Sequence, residues 1–199
     1  VYGRREVIVM IKRRSMLTAL VAAAIGSQVV PRRAIAATAA SSNRPIPWRN
    51  WSGSQQSLPA VRSAPASVQE LQELIATASG TVRPVGAGHS FSPLVPTDHT
   101  IVSLSRLSGL VSHDPQNLQA TLWAGSRLGD IGQSLEDAGQ ALVNMPDIDE
   151  QTLAGCLAAA THGTGVGIGC MSTFIEGLQL VDARGDLVEC DANTNAELF

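Results

Sequence analysis

The chain has 199 residues, of which 44% are hydrophobic and 16% charged, and its formal net charge is −3. This composition supports a buried core and excludes an intrinsically disordered chain. The mild negative charge, with the basic residues gathered near the N-terminus, argues against nucleic-acid binding. Cys156, Cys170 and Cys190 are too few, and odd in number, for a disulfide framework, so we expect all three to be small buried hydrophobic residues.

The first segment along the chain has the pattern of an export signal. Lys12-Arg13-Arg14 precedes an apolar stretch over 17–25, and small residues follow at 34–37. A basic region, an apolar region and a small-residue cleavage site in this order are typical of a secretory signal, and the arginine pair indicates the twin-arginine type. We therefore predict an N-terminal extension and signal peptide over 1–43 and a periplasmic or extracellular protein. A membrane anchor through residues 16–30 is the alternative.

Two amphipathic helices and several short strands are predicted for the rest of the chain. Ser67 and Glu70 form a capping box before apolar residues at helical spacing, so a helix begins at Val68 and ends before Gly80. A second helix covers Leu128 to Ala138. Strands are predicted at Trp48–Trp51, Thr81–Val85, Ile101–Leu104, Leu110–Ser112, Leu118–Trp123, Ile175–Ala183 and Leu187–Cys190, with a hairpin turn at Arg184-Gly185-Asp186. These elements predict an α+β fold.

Two glycine-rich loops carry the residues that suggest chemistry. The first, from Val85 to Ser90, follows a predicted strand, and backbone N–H groups in such a loop can bind a pyrophosphate. It lacks the third glycine of the Rossmann fingerprint. The second, from Thr161 to Gly165, follows a small-residue stretch beginning at Thr152, where a flat ligand can lie close to the backbone. Each loop alone is also consistent with an ordinary turn, but the two together are more specific.

These loops and the stretches between them resemble the PCMH-type FAD-binding domain of the vanillyl-alcohol oxidase superfamily, and within it the aldonolactone oxidases and alditol oxidases. The matching stretches are Asn50-Trp51-Ser52-Gly53, Pro84–Ser90, Ala124-Gly125, Asn144–Ile148, Gln151–Gly155, Ala160–Gly165 and Asn195–Phe199. The resemblance implies an FAD domain of two α+β subdomains, over 44–106 and 107–199. We expect the chain to be an N-terminal fragment, in which the second subdomain is incomplete and the C-terminal substrate domain is absent.

The resemblance also implies the cofactor site. The residues expected to bind FAD are Val85, Gly86, Ala87, Gly88, His89, Ser90, Pro146, Thr152, Gly155, Thr161, His162, Gly163, Thr164 and Gly165. His89 matches the position where many members bond the 8α-methyl group of the flavin, so we expect a covalent flavin there. Asn144-Met145 stand where doubly tethered members have a cysteine, so we expect a single tether. Pro146 matches a position where Gly or Pro accompanies oxidases, which favours oxygen as electron acceptor. We expect a structural role for His162.

The function implied is oxidation of a CH–OH group in a sugar-derived lactone, of the D-arabinono- or L-gulono-1,4-lactone type, with oxygen reduced to hydrogen peroxide. The alternatives are an alditol oxidase, a dehydrogenase with another acceptor, and a non-catalytic truncated FAD-fold module. The catalytic residues are expected in the absent C-terminal domain, so the fragment alone should be inactive. Histidine spacing gives no reason to expect a metal site, and Asp147, Asp149 and Glu150 are expected to serve capping in a loop.

Overall fold

The computed structural model describes residues 46–199, so the signal predicted over 1–43 and the alternative anchor over 16–30 lie outside the described residues. Within residues 46–199, no helix is both long and apolar enough to cross a membrane. The strands in chain order are β1 (Trp48–Arg49), β2 (Gln56–Ser57), β3 (Val61–Ser63), β4 (Val82–Val85), β5 (Thr100–Ser103), β6 (Leu110–Asp114), β7 (Gln119–Leu122), β8 (Leu178–Val181) and β9 (Leu187–Cys190). The α-helices are α1 (Val68–Thr77), α2 (Leu128–Asp137) and α3 (Leu153–Ala158), and 3-10 turns cover Met171–Phe174 and Ala196–Leu198.

Three of the strands form a parallel sheet in the spatial order β3, β5, β4. Helix α1 connects β3 to β4, and β5 then enters between them, with Thr100 paired to Val61 on one side and to Val82 on the other. The middle strand of a parallel sheet is covered on both faces, and Val102 of β5 is accordingly fully buried. The remaining strands pair as the antiparallel sets β1–β2, β6–β7 and β8–β9.

Helix α1 begins at the predicted capping box. The Ser67 hydroxyl accepts a hydrogen bond from the N–H of Glu70 at 3.1 Å, and the Glu70 carboxylate accepts one from the N–H of Ala66 at 2.8 Å. The first bond satisfies an N–H group that the first helical turn leaves without a partner, and the second holds the residue that precedes the N-cap. Leu71 and Ile75 then bury the inner face of the helix. They belong to a core cluster with Val102, Leu104, Leu107, Ala124, Leu180, Val181 and Cys190. This cluster joins residues from both sides of the predicted subdomain boundary at 106/107, and the boundary itself stays a prediction.

Helices α2 and α3 bury their apolar residues in a second core cluster, which consists of Leu122, Leu128, Ile131, Leu135, Leu153, Cys156 and Met171. Backbone carbonyls cap the start of α2: Leu128 N–H donates to Gln151 at 3.0 Å and Gly129 N–H to Asp149 at 3.0 Å. Glu150 pairs with Arg127 at 2.7 Å beside this turn. Of the acidic residues expected to serve capping, Asp149 does so through its backbone carbonyl.

The structure confirms both predicted helices and the hairpin at 182–186 to within a few residues at their ends. It adds β2, β3 and α3, which were not predicted. The strand predicted over Ile175–Ala183 is shorter than expected, because the chain before Leu178 follows a 3-10 turn. The expectation of three buried cysteines is wrong for one of them. Cys156 and Cys190 are buried, but Cys170 lies in a surface loop and is only partly buried.

Candidate functional site

The first glycine-rich loop leaves the sheet at the end of β4. Val85 is paired with Ser103 in the parallel register, so the carboxyl ends of β4 and β5 meet at one edge of the sheet. Gly86 follows directly, and a side chain there would overlap the hydroxyl oxygen of Thr152. Gly88 has a positive φ of +73°, a conformation that favours glycine. The two glycines are therefore required for different reasons: the first by close approach to Thr152, the second by the turn of the backbone.

Thr152 stands at the start of α3, and the surrounding backbone fixes its place. Its side-chain oxygen accepts a hydrogen bond from Gly155 N–H at 3.3 Å. The next two N–H groups, of Leu153 and Ala154, donate to the carbonyls of Ser126 at 2.7 Å and Ala124 at 3.0 Å. The helix start is thereby anchored to the turn between β7 and α2, opposite the loop after β4.

A cleft of about 260 Å³ lies between the loop and the helix. Pro84, Val85, Gly86 and Ala87 line one wall, Thr152, Ala154, Gly155 and Ala158 the other, and Ser103, Leu104, Ser105, Ser108, Ala124, Gly125, Arg127 and Asp130 complete the lining. Most of these side chains are small, so backbone groups and hydroxyls face the space. Sites for drug-sized ligands span roughly 300–1,000 Å³, so this cleft holds only part of a long ligand, and the remainder must lie outside it.

His89 lies at the far end of the same loop, against Trp51. The two rings are stacked, with centroids 5.3 Å apart and an interplanar angle of 27°. Main-chain and side-chain hydrogen bonds hold the neighbours of His89: Trp51 N–H donates to Gly88 at 2.8 Å, and the Asn50 amide donates to the carbonyl of Ser90 at 3.0 Å. The Nδ1 atom of His89 is buried and has no hydrogen-bond partner among the described residues.

The second glycine-rich loop packs against the segment that contains Pro146. A side chain at Gly163 would overlap the amide oxygen of Asn144. Asn144 is itself buried and donates to the carbonyl of Gly169 at 3.2 Å, so it links both ends of this loop region. His162 is exposed, with Nδ1 2.8 Å from the carbonyl oxygen of Gly163. Asn144 and Met145, which directly precede Pro146, are therefore in direct contact with the second glycine-rich loop at Gly163.

Thr161, one of the residues expected to bind FAD, makes hydrogen bonds within the protein, and its role toward the cofactor stays a prediction. Its hydroxyl hydrogen-bonds to the amide of Gln151 at 3.1 and 3.3 Å, and its N–H donates to the carbonyl of Cys156 at 2.9 Å. Both groups are engaged within the protein and hold the loop to α3 and to the residue that precedes its N-cap. Thr164 and Gly165 are exposed, and their role toward the cofactor stays a prediction.

Several residues of the cleft were missed by sequence reasoning. Ser103 is the last residue of β5, Ser105 follows that strand, and Arg127 precedes α2. Ligands of open parallel sheets bind outside the carboxyl ends of the strands, so the end of β5 could have been singled out once its pairing with β4 was known. In the described residues, no group of three or more His, Cys, Asp or Glu side chains could hold a metal ion.

The cysteine thiols have no place in the cleft lining. Burial raises the pKa of Cys156 to about 11, and this thiol donates to the carbonyl of Leu153 at 3.0 Å. Burial likewise raises the pKa of Cys190. A hydrogen bond with the hydroxyl of Ser172 lowers the pKa of Cys170.

Comparison with known proteins agrees with this geometry. The family model described as FAD binding domain matches residues 59–191. The chain therefore belongs to the FAD binding domain family, and the fold and the cofactor class follow from that membership. A crystal structure of cholesterol oxidase from Brevibacterium sterolicum superimposes with a TM-score of 0.62 and 20% identity, over 75% of this chain and 32% of that one.

Lactone oxidoreductases from animals, bacteria and fungi are among the curated relatives. L-gulonolactone oxidase of Bos taurus is 31% identical over 77% of this chain and 36% of the relative. L-gulono-1,4-lactone dehydrogenase of Mycobacterium tuberculosis is 35% identical over 71% and 34%, and D-arabinono-1,4-lactone oxidase of Yarrowia lipolytica is 33% identical over 76% and 30%. The chain spans about a third of the length of these relatives.

The residues present fit FAD. The cleft beside Gly86 is lined by small residues whose backbone can approach a pyrophosphate. The unpartnered Nδ1 of His89 marks a side chain whose hydrogen-bonding capacity the protein itself leaves unused. The loop from Val85 to Gly88, together with Thr152 and Gly155, would hold the phosphate part of the cofactor.

Proposed function

We propose that the protein containing this chain oxidises a CH–OH group of a sugar-derived lactone, of the D-arabinono- or L-gulono-1,4-lactone type. The observation that carries the substrate class is the similarity of 31–35% to three lactone oxidoreductases from a mammal, a bacterium and a yeast, over 71–77% of the chain. FAD, when bound, supplies the redox chemistry by accepting a hydride from carbon. The residues of this chain are proposed to bind and orient it.

Oxygen is the proposed electron acceptor, with hydrogen peroxide as its product. Pro146 supports this proposal because its position in the family resemblance accompanies oxidases. The second candidate is a dehydrogenase with a non-oxygen acceptor, and it is favoured by the name of the Mycobacterium tuberculosis relative. The two candidates share the cofactor cleft and differ only in what reoxidises the flavin.

The test offers the full-length protein, loaded with FAD, three substrates at equal concentration: D-arabinono-1,4-lactone, L-gulono-1,4-lactone and sorbitol. We expect both lactones to be oxidised faster than the alditol, with one peroxide formed for each oxygen consumed. Faster turnover of sorbitol would make the protein an alditol oxidase. Reduction of an artificial dye without oxygen uptake would make it a dehydrogenase, and bound FAD with no turnover of any substrate would support a non-catalytic module.

His89 is the proposed attachment point of the flavin, through one of its imidazole nitrogens. The support is its place in the loop, its stack on Trp51 and its unpartnered Nδ1. Acid-denatured wild-type protein should show flavin fluorescence that migrates with the polypeptide on a gel, and His89→Ala should lose it. His113→Ala, an exposed histidine on β6, is the matched control and should keep the fluorescence. Wild-type protein whose flavin washes off would contradict the tether and leave the fold unaffected.

Export by the twin-arginine route is the proposed localisation. It depends on Arg13 and Arg14 and on the apolar stretch after them, all within residues 1–43. Such a route carries folded proteins, which suits an enzyme loaded with cofactor before it leaves the cytoplasm.

A further inference from the structure

The contact between Trp51 and His89 joins two segments far apart in the sequence. Trp51 follows β1, whereas His89 belongs to the loop after β4. The rings lie 5.3 Å apart at 27°, which is an offset stack of the kind that aromatic pairs prefer. Trp51 keeps 68% of its surface exposed, so core packing does not explain a residue of this size at this position.

The backbone around His89 is fixed by the same segment. The N–H of Trp51 donates a hydrogen bond to the carbonyl of Gly88. The buried side-chain amide of Asn50 donates one to the carbonyl of Ser90. Asn50 is in turn fixed by the N–H of Gln55, which donates to its amide oxygen at 2.9 Å. These bonds determine where the Cα of His89 lies, but they leave the rotation of its ring open.

A functional histidine is usually oriented by a hydrogen bond to one ring nitrogen. His89 lacks such a bond at Nδ1, which is buried without a partner among the described residues. The stacked indole is a contact that restricts the plane of the imidazole. We propose that Trp51 is a positioning residue, which holds the His89 ring in the orientation needed for covalent attachment of the flavin. This inference rests on the proposed tether at His89.

The step that Trp51 assists balances as follows. An imidazole nitrogen of His89 loses its proton and forms a bond to the 8α-carbon of the flavin, and that carbon loses one hydrogen as a proton. Two electrons remain, and they pass to molecular oxygen, which takes up both protons and becomes hydrogen peroxide. Fixing the ring plane before the bond forms lowers the orientational cost of this step.

The experiment measures attachment separately from binding. Full-length apoprotein is mixed with FAD in air, and two quantities are followed in time: total bound flavin, and flavin that stays with the polypeptide after acid denaturation. Wild type is compared with Trp51→Ala, Trp51→Phe and Phe91→Ala. Phe91 is the matched control, since it lies two residues after His89 and is exposed to nearly the same extent, 66%.

We expect Trp51→Ala to bind FAD but to attach it about threefold to tenfold more slowly, the range expected from loss of one aromatic stack. Trp51→Phe, which keeps a stacking ring, should restore most of the rate, and Phe91→Ala should match wild type. An unchanged attachment rate in Trp51→Ala would overturn the inference. Equal loss of bound and attached flavin in both Trp51 variants would do so too, because it would indicate a merely structural role. If wild-type protein never attaches flavin, the proposed tether at His89 is itself wrong. The wild-type sample alone shows this outcome, so it is distinguishable from a failure of the Trp51 inference.

Discussion

Gly86 shows how a single missing side chain shapes the cofactor cleft. The backbone of the loop comes so close to Thr152 that even a methyl group would overlap its hydroxyl oxygen. Thr152 cannot easily withdraw, because it is buried and caps α3 through Gly155. The closest approach of the two walls at this point is therefore set by one glycine and one threonine.

Gly86→Ala should weaken FAD binding. Overpacking a well-filled site typically costs about 1–3 kcal/mol, which corresponds to roughly 5-fold to 150-fold in the dissociation constant. Titration of the full-length apoprotein with FAD measures the loss. Adding Thr152→Ala to Gly86→Ala removes the overlapping hydroxyl oxygen. The double variant should therefore bind FAD more tightly than the summed losses of the two single variants predict.

Gly132→Ala is the matched control, because a side chain at this position in α2 meets nothing within 4 Å. It should leave FAD binding unchanged and stabilise the helix by roughly 0.5–1 kcal/mol. Wild-type affinity in Gly86→Ala would contradict the proposed close approach.

Residues of the site differ in how far the sequence could predict them. Gly86 and His89 were predicted, because glycine loops and the family resemblance mark them directly. The stack of Trp51 on His89 and the engagement of Thr161 by Gln151 were not predicted. Both join residues from separate segments, and such contacts exist only once the chain is folded.

At the level of elements, the hairpin between β8 and β9 depends on one carboxylate. Asp182 accepts hydrogen bonds from the N–H groups of Arg184 at 2.8 Å and Asp186 at 3.0 Å, and pairs with the Arg184 guanidinium at 3.0 Å. Partial burial alone would raise the pKa of Asp182, but these contacts outweigh it and lower the pKa below its ordinary value. The turn is buried at Gly185, which lies against the backbone of Gln72 in α1.

Asp182→Asn should destabilise the protein by about 1 kcal/mol at neutral pH, since charge-assisted bonds become neutral ones. Because the folded-state pKa is depressed, the stabilisation is present above the unfolded-state pKa and is lost as pH falls through the folded-state value. The free energies of unfolding of wild type and Asp182→Asn, measured in urea, should therefore converge as the pH falls through the acidic range. Asp147→Asn, an exposed carboxylate, serves as control, and a constant difference at all pH values would argue against the ionised Asp182.

Elements with a strong local signal were predicted, and those without one were not. Leu71 and Ile75 mark α1 by their spacing, and the capping box marks its start. Helix α3 has the sequence Leu153-Ala-Gly-Cys-Leu-Ala, whose small residues give little helical periodicity. Strand β3 is short and largely exposed, so it shows no alternation. The order β3, β5, β4 depends on long-range pairing, which no local pattern specifies.

For the whole molecule, the export proposal leads to a prediction about the arginine pair. Changing Arg13 and Arg14 together to lysine keeps the charge but removes the planar forked donors of guanidinium. We expect the variant to accumulate in the cytoplasm, while wild type reaches the periplasm or medium, as fractionation and immunoblotting would measure. Wild type found in the membrane pellet would favour the anchor over 16–30, and equal export of both proteins would exclude dependence on the arginine pair.

The position of β5 between β3 and β4 has a consequence for the order of events during synthesis. β5 is the last of the three strands to leave the ribosome, yet the other two have no partner in this sheet until it arrives. The second wall of the cleft, from Thr152 to Ala158, emerges later still. Non-local pairing of this kind slows folding. A chain that ends before Ala158 would therefore lack part of one wall of the cleft, so we expect the cofactor to be bound only after most of this domain has been translated.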